Sequence, residues 1–523
     1  MQRIVAGLKA GMKERAYLLL ILLLHILLNM PFLTVFPPID NVGDESWMTN
    51  ISLELLKTGS PLSSMHIGTP VAKEVQVITT WIYSGMLSGV FAILTPSVWA
   101  GRFLSFLFGL FVIILIYNFG KALVDQKVGL TASLLLVTAN PFSWHSREIR
   151  PEMMLMAFTT LSVLFFYLAY VKKKNIFLFF SGLISTLSVQ VHPNGTIFAF
   201  SIVLIYFFVY RKRLFSLSSI VLFAGLLTGF SIWLIFNYLP YSTESFQTIH
   251  KKYLPPILYK NFFVLLKDSV PLFKNILSIN MLEFIKSKYY GNVTVGIIYL
   301  GLLLIVTALV TGKNRKSLLF VLSFLLIPLI FSIFIINYWT WLYFSIYLPF
   351  IFLALAISLL DISRRVPWLK VRKLVLAGSI ILFAGTGIFD IMTNNLNMLK
   401  YDFKKIEKEI AESVPRGTTV MGTRWYYFAF LENQNHFVTY TFLEEQCPDF
   451  ESMVRAYKID YILVDDIMIS KANTWCTIYY TEYEIKKLLE GKASLTKDIT
   501  FDYPSGLSPG VTHHVVSIYK VNL

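Results

Sequence analysis

Eleven apolar stretches, most near the twenty residues that cross a hydrocarbon core about 30 Å thick, recur along this chain and leave it few ways to fold. They fall at 16–36, 97–119, 128–143, 151–171, 175–190, 196–210, 215–238, 293–312, 316–336, 341–360 and 373–391. Inside lipid the backbone has only itself to bond, so such runs become helices. Composition agrees: 55% of the 523 residues are hydrophobic and 15% are charged, where soluble domains carry about a quarter. The expected fold class is a polytopic α-helical membrane protein.

A formal charge of +15 suits a nucleic-acid binder only if the Lys and Arg residues gather on one surface. Here they sit between apolar runs: Arg3/Lys9/Lys13/Arg15, Lys121/Lys127, Lys172 to Lys174, Arg211 to Arg213, Lys313/Arg315/Lys316, and Arg364/Arg365/Lys370/Arg372/Lys373. Every second connection is basic, and the positive-inside rule puts all six clusters in the cytoplasm. The charge is topological, and no nucleic-acid partner is expected. A further apolar run, Val75 to Leu94, would carry the five later clusters outside if it crossed. It reads instead as a helix at the outer interface, bearing Trp81 and Tyr83. The N-terminus is then cytoplasmic, the first run is an uncleaved span, and everything after about Asp390 is outside.

Two domains follow: a membrane domain, 1–394, with external loops 37–96 and 239–292, and an extracytoplasmic soluble α/β domain, 395–523. In the tail "YDFKKIEKEIAESVP" has the spacing of an amphipathic helix, while "TTVMG", "HFVTYTF", "YILVDD" and "HHVVSIYKV" read as strands. It has no GxGxxG and hence no dinucleotide signature. The only two cysteines, Cys447 and Cys476, fall here on the oxidising side, and a disulfide between them stays open.

Polar groups collect on the outer side. "PPIDNVGDESWMTNISLELLKTGSP" (37–61) brings Asp44 and Glu45 to the membrane exit. Trp47, Met48, Ile51 and Leu55 form one stripe, which predicts a helix over 45–57 lying on the membrane. Asp44 then serves as its N-cap and Glu45 favours its dipole, or Asp44 is a general base within reach of a lipid-borne substrate. "WHSREIRPE" (144–152) has the same two faces. Arg147 and Arg150 meet lipid phosphates and Pro151 opens the next helix, or Glu152 faces Asp44 across a cavity while an arginine grips a substrate phosphate. His192, before Pro193, is a packed interface residue or a site ligand, and His66 lies in the first external loop. Lys251 and Lys252 are solvated loop charges or a phosphate clamp. The histidines have no metal-ligand spacing, so no protein-held metal is assigned, and an assisting divalent ion stays open.

The order of parts is specific: a span, an external Gly-Asp-Glu opening a helix, a second interface helix with Trp81, an Arg102-bearing span "WAGRFLSFLFGLFVIILIYNFG", a cytoplasmic "KALVDQKVGL", then "ANPFSWHSREIRPEMMLMAF". It resembles the GT-C superfamily of polyprenyl-phosphate-dependent glycosyltransferases, in the branch of protein O-mannosyltransferases and lipid A aminoarabinose transferase. The resemblance implies sugar transfer from an undecaprenyl or dolichyl phosphate to a hydroxyl of a lipid, polysaccharide or protein on the outer face. It puts the base on Asp44, its acidic neighbour on Glu45, and the acid after the third span on Glu152, where relatives more often carry Asp. Donor phosphate contacts fall to Lys73, with Arg147, Arg150, Lys251 and Lys252 as further cations. Two other classes fit many spans: a lipid or glycan flippase, and an oligosaccharyltransferase using a lipid pyrophosphate.

Overall fold

The computed structural model describes residues 2–35, 44–65, 81–211, 216–239, 292–335, 345–431, 435–439, 449–465, 482–504 and 511–523. His66, Lys73, Lys251, Lys252, Cys447 and Cys476 lie outside the described residues.

Helices occupy all eleven predicted segments. The first four are α1 (Gln2–Asn29), α4 (Val98–Leu123), α5 (Gln126–Val137) and α7 (Glu152–Lys172). Next come α8 (Ile176–Val191), α9 (Gly195–Val209) and α10 (Leu217–Trp233), then α11 (Asn292–Thr311), α12 (Arg315–Ile335), α13 (Leu348–Ser363) and α14 (Leu369–Met398). Two further helices intervene, α2 (Asp44–Thr58) and α3 (Trp81–Ile93). Among the described residues, six helical stretches are long and apolar enough to cross a membrane unaided, and the chain is a multi-pass membrane protein.

The predicted span at 128–143 is two helices. Pro141 has no amide hydrogen to continue a ladder, so α5 stops at Val137 and a short α6 (Asn140–His145) starts anew with the proline in its first turn. Twelve residues of α5 rise only about 18 Å, and α6 follows after two residues.

Membrane helices associate through close packing, and glycines permit it here. A Cβ at Gly182 of α8 would lie 2.5 Å from the Leu222 carbonyl oxygen of α10, and one at Gly225 would lie 2.1 Å from that of Phe179. Several basic connections share one end of the bundle. There Lys121 pairs with Glu14, Arg364 Nη2 lies 2.6 Å from Asp125 Oδ2, and the Asn314 amide donates to Asp361 Oδ2 at 2.9 Å.

The tail opens with α15 (Phe403–Glu412) and builds a five-stranded sheet in the order β2-β1-β3-β5-β4. Its strands are β1 (Thr419–Gly422), β2 (His436–Thr439), β3 (Tyr461–Asp465), β4 (Ala493–Pro504) and β5 (Val511–Val521). β1 runs parallel to β2 and β3, whereas β5 is antiparallel to β3 and β4. β3 is central and all five of its residues are buried, as its unbroken apolar run requires. Leu463 faces a core with Phe403, Ile410 and Val516, while Ile462 and Val464 face Phe450, Ile485 and Leu488 of helices α16 (Phe450–Ala456) and α17 (Glu482–Lys492). β4 was not expected from the sequence. It is an edge strand whose charged residues and irregular register at Leu495/Lys497 hide the period of two.

Met65, in the segment that follows α2, is fully buried in the first of these cores, and its carbonyl accepts a hydrogen bond from the Thr439 amide at 3.0 Å. The sheet domain thus rests on the segment that carries Asp44.

Candidate active site

The predicted helix over 45–57 forms, but not as a helix lying on a membrane. Its polar residues Glu45, Ser46, Thr49, Asn50 and Ser52 are as buried as Met48 and Ile51. One side packs on α3, and another meets the turn Arg424–Phe430 of the tail. Asn50 satisfies its amide in that joint: Nδ2 donates to Ser64 Oγ (2.9 Å) and the Tyr427 hydroxyl (3.3 Å), and Oδ1 accepts from Ser63 Oγ (2.9 Å).

Three carboxylates and two arginines from four elements meet beside it. Glu45 is clamped by Arg102 of α4, with Nε to Oε1 at 2.8 Å and Nη2 to Oε2 at 2.6 Å, while Arg102 Nη1 donates to the Leu33 carbonyl at 2.9 Å. Glu45 Oε1 also accepts the Ile149 amide at 2.8 Å, which ties the 146–151 loop to α2. Gly101 makes room for this, since a Cβ there would lie 2.5 Å from Ile149 Cδ1. Arg150, on the same loop, donates from Nη2 to Glu152 Oε1 at 2.8 Å and presents Nη1 to Asp44 Oδ2 at 2.7 Å. Asp44 and Glu152 therefore share one guanidinium instead of facing each other across a cavity. Of the three acids, Asp44 alone keeps appreciable exposure, with 19% of its side chain accessible against 2% for Glu45 and 1% for Glu152.

The remaining candidates divide. Arg147 is buried and donates to Asn395 of α14, whose Nδ2 donates to the Leu28 carbonyl at 3.0 Å. Through this contact it braces the loop from behind. Burial, with Arg102 nearby, draws its guanidinium down to about 9, still charged at neutral pH. Arg150, likewise expected to hold a phosphate, is engaged by two carboxylates.

His192 lies just beyond α8, and its Nδ1 accepts the Asn194 amide at 3.1 Å. Burial lowers its pKa to about 4; Glu152 and Asp44 raise it and Arg150 lowers it further. A histidine depressed below its unfolded value near 6.5 supports the fold fully above that pH and loses this support as pH falls toward 4. His192→Gln should therefore flatten the acid limb of thermal stability between pH 6.5 and 4, by up to roughly 3 kcal/mol. Parallel limbs in detergent melts of the two proteins would contradict this.

Sequence reasoning left two cations out of the site. Arg102 carried a signal, because a lone arginine near the end of an apolar span is functional by default. Arg424 carried none. It stands at the head of the tail's 3-10 turn, 5% exposed, with its guanidinium 5.3 Å from the centre of the Trp47 ring and Nη1 3.8 Å from Asp44 Oδ1.

Residues 79–236 match the family model for dolichyl-phosphate-mannose-protein mannosyltransferase. No sequence among the curated proteins matches. Among solved structures, ArnT from Cupriavidus metallidurans in the apo state is 12% identical over 98% of each chain with a TM-score of 0.58. The same protein bound to undecaprenyl phosphate superposes with a TM-score of 0.55, at 12% identity over 96% of this chain and 98% of that one. The Archaeoglobus fulgidus oligosaccharyltransferase in complex with Zn and sulfate gives 0.56 at 12% identity, over 95% of this chain and 73% of that one. The chain thus shares the fold of these membrane proteins over nearly its whole length, and its residues 79–236 match the mannosyltransferase family model.

Proposed function

We propose that the protein is an integral-membrane glycosyltransferase that moves a sugar from a polyprenyl phosphate to a hydroxyl acceptor on the outer face of the membrane. The observation that carries this reading is the inequality among the three acids: Glu45 and Glu152 are buried and held by arginines, while Asp44 reaches the accessible side. A general base has to touch the proton it removes. Asp44 takes the acceptor's hydroxyl proton as that oxygen bonds to the anomeric carbon. The bond from that carbon to the donor phosphate breaks, and the lipid phosphate leaves with the electron pair. Attack opposite the leaving group inverts the anomeric centre. Glu45 and Glu152 hold the frame, and Lys73, Lys251 and Lys252 are the cations proposed to meet the departing phosphate, where preorganised positive charge favours negative charge as it develops.

The likeness to ArnT bound to undecaprenyl phosphate and the mannosyltransferase model support a lipid monophosphate donor. Asp465, the buried acid at the end of β3, accepts from the Thr423 hydroxyl at 2.9 Å and the Tyr426 hydroxyl at 3.1 Å. The test is the anomeric configuration of the product made from an α- or β-linked polyprenyl-phosphate sugar, read by NMR. Inversion is expected; retention would remove Asp44 as base and call for a covalent intermediate.

A further inference from the structure

Arg424 belongs to the sheet domain, yet its guanidinium lies against Asp44, the most exposed of the three clustered acids. Two sets of contacts fix it there. From the tail, the buried Asp465 at the end of β3 accepts from Thr423 and Tyr426, the residues on either side of the Arg424–Trp425 pair, so the turn is anchored to the central strand. From the membrane part, Trp47 offers its ring face to the guanidinium, a favourable cation–π arrangement, and Asn50 binds Tyr427 three residues on. Asp44, Trp47 and Asn50 or Ile51 recur on one face of α2 at helical spacing. The turn therefore runs along the face that begins with Asp44.

The two cations at Asp44 differ in kind. Arg150 approaches Oδ2 at 2.7 Å, a charge-assisted hydrogen bond. Arg424 stands 3.8 Å from Oδ1, too far for a hydrogen bond, and acts on that oxygen through charge. Arg150 binds one carboxylate oxygen and the buried Arg424 charge faces the other, so the two together restrict how the carboxylate turns.

We propose that Arg424 is a positioning residue for Asp44, supplied by the soluble domain, so that the base is set for proton transfer only when the sheet domain is docked on α2. The inference rests on the reading of Asp44 as general base, and it gives the tail a part in the chemistry.

The test is a double-mutant cycle in the full-length protein, following sugar loss from a radiolabelled polyprenyl-phosphate donor with acceptor extract present. Arg424→Met should lower kcat about 30-fold, the scale of a misplaced catalytic group, with donor KM within about twofold. Arg424→Lys, which keeps the charge, should recover to within about fivefold of wild type. In an Asp44→Asn background, Arg424→Met should change the residual rate by less than about twofold, because a residue that acts through Asp44 has nothing left to act on. Multiplying effects in the double mutant, or a rise in KM alone, would overturn the proposal while leaving the transferase reading intact. Should Arg424→Met fail to fold, the Lys variant and Arg424→Gln carry the same cycle. A wild-type protein inactive on every lipid-phosphate donor would sink the transferase reading itself, and this inference with it.

Discussion

Asp44→Asn leaves a folded protein whose sugar transfer falls by about 10²–10⁴-fold, the range a general base contributes. Asparagine matches aspartate in size and keeps an oxygen for Arg150, and Arg150 retains Glu152 as its second partner. What is lost is the acceptor for the hydroxyl proton. The measurement is kcat on a lipid-phosphate donor, beside a detergent melt within a few degrees of wild type. Activity within a few fold of wild type would mean that another group takes the proton.

Glu45→Leu has the largest expected effect on stability. The Arg102 guanidinium is 1% exposed in α4, and two of its three described hydrogen bonds go to the Glu45 carboxylate. Removing the carboxylate strands a buried cation, at a cost of roughly 3–5 kcal/mol. Arg102→Met strands the anion instead, with a similar cost. Replacing both together should cost less than either alone, since buried pairs exchanged for apolar residues are often close to neutral. The Ile149 amide loses its acceptor in the Glu45 variant and in the double variant, so the rescue should be incomplete. Melting temperature and yield in detergent report all three. A Glu45→Leu protein as stable as wild type would show that Arg102 does not depend on this pair.

The spans were legible because lipid imposes one rule on every residue along some twenty positions, and the eleven runs need no knowledge of their neighbours. The 128–143 run shows where that rule gives way, to a local one: Pro141 divides it. The site was half legible. Asp44, Glu45, Arg150 and Glu152 sit in two short polar segments flanked by apolar ones, and their unusual place drew attention before any contact was known. Burial of the polar side of α2 was not legible, because what covers it comes from distant segments: Arg102 and Ile149 at Glu45, and Tyr427 of the tail at Asn50. Arg424 was invisible for the same reason. Nothing within "TRWYYFAF" sets that arginine apart, and only Asp465 on one side and Trp47 on the other give it a place. The partner of Arg147 was not legible either: its surroundings in sequence suggested a phosphate, and Asn395, which it binds, lies on the last membrane helix.

The central claim is that Asp44 drives transfer of a sugar from a lipid monophosphate, and donor consumption tests it most directly. Purified protein in detergent would be incubated with acceptor extract and radiolabelled polyprenyl-phosphate sugars, polyprenyl-pyrophosphate glycans and nucleotide sugars, in wild-type and Asp44→Asn forms. The account predicts loss of label from the monophosphate donor alone, with the wild type alone. Turnover of the pyrophosphate donor instead, equal turnover by both forms, or movement of intact lipid across a vesicle membrane with no donor cleaved would contradict it.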